Sequence, residues 1–133
     1  MSKESETLNC GILSLQKHSN NLYSIATSNG TVSMVKVTQE KSITITEPIA
    51  CSEDSILYHD ISGSQAVCGT YDGNLLTVDL EKRELVNEAT KAHDFSVWYT
   101  SFSKDDANII YSASDDASFK KFDTRVGLST PVY

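Results

Sequence analysis

"SASDDASFKKFDTR", Ser112 to Arg125, decides how the whole chain is read. Its adjacent carboxylates, Asp115 and Asp116, fit a catalytic or metal-binding cluster, and they equally fit the turn of a repeated β-hairpin. Three stretches resolve the choice: "YSIATSNGTVSMVKV" from Tyr23, "AVCGTYDGNLLTVDL" from Ala66 and "IYSASDDASFKKFDT" from Ile110. Each carries a small residue, Ser or Thr, one variable residue, Asn or Asp, then a second small residue. Asn29, Asp72 and Asp116 therefore recur at spacings of 43 and 44 residues. A missed repeat of that length miscalls the fold, so the repeat is read first.

Each unit reads as four short strands, because its runs are β-branched or apolar and bounded by turn residues. The first strand is expected at 12–16, 56–61 and 97–102, and the second at 22–27, 65–70 and 109–114. The third follows at 31–37, 74–80 and 118–123, and the fourth at 41–46 and 84–88. Pro48 is expected to break the chain between the first two units. Asn29-Gly30 and Asp72-Gly73 read as type I′ hairpin turns, which need positive φ at both central residues. Asp116-Ala117 predicts a turn of another type or a strained one, since Ala tolerates positive φ poorly.

Composition narrows the function classes. The 133 residues suffice for one core, and a charged fraction of 22% is that of a globular chain. A net charge of −7, with nothing more basic than pairs such as Lys82-Arg83 and Lys120-Lys121, argues against nucleic acid as a partner. The polar N-terminus is not a signal peptide, and no apolar run has the length of a membrane helix. Cys10, Cys51 and Cys68 are odd in number and form no C-x-x-C pair, so reduced thiols in a cytoplasmic chain are expected.

The third unit resembles the WD40 family: His93 precedes its first strand, Ser114 ends the second, Asp116 lies in the turn, and Phe122-Asp123 stands at the Trp-Asp place. The resemblance implies an all-β WD40-type β-propeller, here a partial one of about three four-stranded blades at 11–47, 55–88 and 93–133. It also implies a structural tetrad of His93, Ser114, Asp116 and Phe122, shortened because Phe lacks the indole donor. The second unit keeps Thr70, Asp72 and Val78-Asp79 without a matching His, and the first has Val35-Lys36 at the Trp-Asp place. A closed propeller needs roughly four to eight blades. The chain is therefore expected to be a piece of a longer propeller, or a short form completed by association.

A narrower resemblance covers "KAHDFSVWYTSFSKDDANIIYSASDDASFKKFDTRV", Lys91 to Val126. Its Ala-His-x-Phe, Trp98, Phe102, Ile-Tyr-Ser, Asp-Asp and Asp-Thr-Arg-Val are similar to a blade of the diphthine methylesterases, WD40 proteins of diphthamide biosynthesis. That resemblance implies an esterase that removes a methyl ester from the modified histidine of translation elongation factor 2, with no cofactor or metal. A non-catalytic WD40 scaffold that docks other proteins is the alternative.

The residues themselves name no nucleophile: there is no Gly-x-Ser-x-Gly elbow and no His-Glu-x-x-His motif. The candidate general bases are His59, read as channel-facing on a first strand, and His93. Asp60, Trp98 and Tyr99 are the candidate substrate-binding residues, with Trp98 and Tyr99 placed level with His59 in the next unit. His18 is read as a loop residue without a role.

Overall fold

The computed structural model describes residues 5–132. Among these residues, twelve strands form three antiparallel sheets in chain order, the arrangement of a partial WD40-type propeller with no closed sheet. Sheet 1 holds β1 (Ile12–Ser19), β2 (Leu22–Thr27), β3 (Thr31–Val37) and β4 (Ile43–Ile45), with β5 (Ile49–Ala50) also on the free edge of β3. Sheet 2 holds β6 (Ile56–Ser62), β7 (Gln65–Thr70), β8 (Asn74–Asp79) and β9 (Glu84–Lys91). Sheet 3 holds β10 (Val97–Phe102), β11 (Ile109–Ser114) and β12 (Phe119–Asp123). Among the described residues, no helix is long and apolar enough to cross a membrane.

The expected strands recur with ends moved by a few residues. Pro48 has no N–H to give the ladder, so the outer strand of sheet 1 is split into β4 and β5, whereas β9 runs unbroken on the same track of sheet 2. Sheet 1 consequently reaches Ala50 and sheet 2 reaches Lys91, beyond the expected ends of their units.

Alternation assigns the faces. Ala26 and Val32 of sheet 1 meet Ile56, Cys68, Leu76 and Val78 of sheet 2 in one buried cluster. Val67 and Leu75, on the opposite face of sheet 2, meet Val97, Phe102, Ile110 and Phe122 of sheet 3 in a second. Sheet 2 is thus apolar on both faces, as a blade stacked between two others requires. Cys51 and Cys68 lie buried in the first cluster and Cys10 is half-buried, all three as free thiols. Burial pushes the Cys51 thiol up to about 11, so it is an unreactive packing residue.

The hairpin turns are not of type I′. Gly30 and Gly73 have φ of 79° and 90°, but Asn29 and Asp72 keep negative φ. Gly30 N donates to Thr27 O and Gly73 N to Thr70 O, so each loop is a four-residue turn closed by a left-handed residue. The third turn repeats this geometry with Ala117 at φ 66°. Its type is therefore the same, and of the two expectations the strained one holds.

Sheets are also clasped through these turns. Gly30 O accepts the amides of Cys51 and Ser52, and Gly73 O accepts those of Ala92 and His93. A Cβ at Gly73 would stand 2.3 Å from His93 O, and one at Gly30 would stand 1.9 Å from Ser52 O. Glycine is required there for contact as well as for φ.

Candidate functional site

The first strand of every sheet carries an irregularity at the same place. Pairing slips between Ile12 and Ser14, between Ile56 and Tyr58, and between Val97 and Tyr99. One residue is extruded each time: Leu13, Leu57 and Trp98. Such a bulge reverses the in–out parity of the residues beyond it, and plain alternation in a sequence cannot report it. Past the bulge, Tyr58 pairs with Gly69 and Tyr99 with Ala113, while His59 pairs with Cys68 and Thr100 with Ser112. Tyr99 is thus the counterpart of Tyr58, and Thr100 is the counterpart of His59. The reading that set Trp98 and Tyr99 level with His59 is corrected by that register.

His59 does not line a channel. It is fully buried against sheet 1, where Nδ1 meets Ser14 Oγ at 2.8 Å and Nε2 meets Ser24 Oγ at 2.7 Å. Its backbone N–H also donates to Ser14 Oγ. Burial, followed by the charge on His18, lowers its pKa to about 4. An imidazole so enclosed is neutral at physiological pH and cannot meet a substrate, which removes it as a general base.

His18 belongs to β1, not to a loop, and its Nε2 lies 3.0 Å from Ser24 Oγ. The alternation Ser14, Gln16, His18 along β1 was the available signal, since all three share one face of the strand. Gln16 Nε2 donates to Tyr58 Oη and to the carbonyl of His59.

His93 is also enclosed, at 2% exposure. Its Nδ1 lies 2.9 Å from Asp116 Oδ2 and 3.0 Å from Ser118 Oγ, and its Nε2 lies 2.7 Å from Ser112 Oγ. A carboxylate only accepts, so Nδ1–H points at Asp116, while Nε2 pairs with the Ser112 hydroxyl. The hydroxyl of the network is therefore that of Ser112. Ser114, two residues on, donates instead to Phe95 O and accepts from the Asp116 amide. Both serines share a face of β11, so parity could not separate them; their depth along the strand does.

Partial burial would raise the Asp116 carboxyl. Hydrogen bonds from Ser118, His93 and the amides of Ser118 and Asp94 outweigh it and hold the group well below the usual carboxylate range. Phe122 contributes packing alone, buried beside Ile110 and Val97.

The other candidates do reach the surface. Trp98 is 52% exposed, with Nε1 donating to Asp115 Oδ2 at 2.5 Å, and Tyr99 is 55% exposed with its ring 4.3 Å from that of Tyr58. Asp60 is half-buried between sheets 2 and 3, where Oδ2 accepts the Phe102 amide at 2.8 Å. His59 and Asp60 lie on opposite faces of β6, so these adjacent residues do not form a pair. The structure assembles no nucleophile–base constellation from these residues.

No family model matches the chain. It is 26% identical over 113 residues to "Diphthine methyltransferase" of Schizosaccharomyces pombe, covering 82% of this chain and 34% of that protein. It is 29% identical over 126 residues to "Diphthine methyltransferase homolog" of Dictyostelium discoideum, covering 86% and 34%. The chain thus spans about a third of the length of these curated relatives. "DDB1- and CUL4-associated factor 11 homolog" of Caenorhabditis elegans is 33% identical over 75 residues, covering 56% of this chain and 13% of that protein. Among solved structures, the computationally designed Ika8 and Ika4 proteins superpose with TM-scores of 0.73 and 0.74 at 18% and 17% identity. They cover 92% and 96% of this chain, which spans 36% and 74% of theirs, and they speak for the fold alone. By its curated relatives, the chain resembles the diphthine methyltransferase WD-repeat proteins.

Proposed function

We propose that the chain is a propeller segment of the diphthine methylesterase kind, acting in the cytoplasm on translation elongation factor 2. The observation that carries this reading is the alignment with two diphthine methyltransferase relatives over 82% and 86% of the chain. In the proposed reaction, water adds to the ester carbonyl carbon and the bond to the methoxy oxygen breaks. Methanol leaves, a carboxylate remains, and one proton is released to solvent. Within this reading His59 and His93 pin sheets together, and Asp60, Trp98 and Tyr99 contact the substrate.

The test is incubation with elongation factor 2 carrying the methyl ester, followed by intact mass. Loss of one methyl group at a rate proportional to enzyme supports the reading. An unchanged ester at high enzyme concentration, with stable capture of the substrate protein, leaves the scaffold reading in its place. The likeness to a DDB1- and CUL4-associated factor 11 homolog is the observation favouring that second reading.

A further inference from the structure

A cleft of about 570 Å³ opens between sheets 2 and 3 at the end of the molecule that carries the hairpin turns. Tyr71 and Phe95 stand on its walls, 58% and 60% exposed, and Trp98 reaches its rim through the bond to Asp115. Three carboxylates, Asp72, Asp94 and Asp115, line the same space. Against them stands one ammonium, Lys91, whose Nζ donates to the carbonyl of Asp72.

The repeat supplies an internal control. In sheets 1 and 2, the positions equivalent to Tyr71, Phe95 and Trp98 are held by Ser28, Asp54 and Leu57. The backbone contacts are alike in both places: Ser55 Oγ donates to Ser28 O, and Ser96 Oγ donates to Tyr71 O. Asp54 caps its loop, accepting the amides of Ser55 and Asp72. Phe95 performs no such task, so joining two sheets does not require an aromatic there. Tyr71 and Phe95 thus line this junction as exposed rings that joining the sheets does not require, with Trp98 held beside them by Asp115.

We propose that this cleft docks an arginine-bearing, basic segment of a partner protein. A guanidinium stacks on exposed rings and bonds carboxylates through its planar fork, which an ammonium cannot do as well. The net charge of −7 draws such a segment in and repels a second copy of this chain. Docking of this kind does not depend on the esterase reading.

Trp98 is the single tryptophan, so its emission reports occupancy directly. The probe is the capped peptide Gly-Arg-Gly-Arg-Gly, titrated at low ionic strength beside the same peptide with neutral citrulline for arginine. The arginine peptide is expected to change the emission saturably and the citrulline peptide to leave it unchanged. Phe95→Ser and Asp94→Asn should each weaken binding about three- to tenfold. Glu84→Gln, exposed on β9 away from the cleft, should bind as the parent does. Urea unfolding at the parent midpoint shows that each variant is folded. Equal response to citrulline overturns the proposal, as does unchanged affinity in Phe95→Ser. Equal weakening by Glu84→Gln would reduce the effect to net charge, and a dilution-dependent emission of the free chain would assign the cleft to self-association; either result also overturns it.

Discussion

At the scale of single residues, the buried Nε2 of His93 takes its hydrogen-bond partner from Ser112. Ser112→Ala leaves that buried ring nitrogen unpaired and should cost about 1–3 kcal/mol in urea unfolding. Ser114→Ala, which disturbs turn contacts outside that network, should cost about 1 kcal/mol or less. Equal costs would mean that the network reaches a different serine from the one 2.7 Å from His93. Ala117 makes a prediction of opposite sign. Its φ of 66° strains an L side chain, so Ala117→Gly should stabilise the protein by about 1 kcal/mol, read as a higher denaturant midpoint. The strain was legible from the sequence, because the repeat puts glycine at the two matching positions. The identity of the network serine was not, because two serines of like parity differ only in depth.

Elements show where sequence reading ends. Strand positions were legible from β-branched runs and from the recurring Asn or Asp, and the middle strands needed no revision beyond a residue or two. Bulges were not, because Leu13, Leu57 and Trp98 fit the apolar pattern as well as paired residues would. Missing them set Trp98 and Tyr99 level with His59, whereas Thr100 is its counterpart. The clasp was half-legible: glycine announced a turn but not the loop lying upon it. Gly73→Ala therefore tests more than φ. Its methyl would meet His93 O and Phe95 O at 2.3 and 2.7 Å, so sheet 3 must retreat. The expected loss is about 2–4 kcal/mol, with m-value retained. A loss near 1 kcal/mol would show that the loop gives way instead.

For the molecule as a whole, His59 makes sheet packing sensitive to acid. Folded, it titrates at about 4; unfolded, it returns to the ordinary 6.5. Between those values the unfolded chain binds more protons, so its folded-state advantage is full above pH 6.5 and shrinks as the pH falls to 4. The loss on crossing that window should be on the order of 3 kcal/mol. Denaturant midpoints measured across it should fall more steeply for the parent than for His59→Gln. Parallel curves would place the acid sensitivity elsewhere.

The glycine clasp sets an order of events during synthesis. The carbonyl of Gly30 waits for the amides of Cys51 and Ser52, and that of Gly73 waits for Ala92 and His93. A chain leaving the ribosome can therefore lock each hairpin only roughly twenty residues after making it, when the start of the next sheet has emerged. The youngest sheet is always the unlocked one. A pause in translation just past a turn would prolong that state, and a pause one loop later would end it.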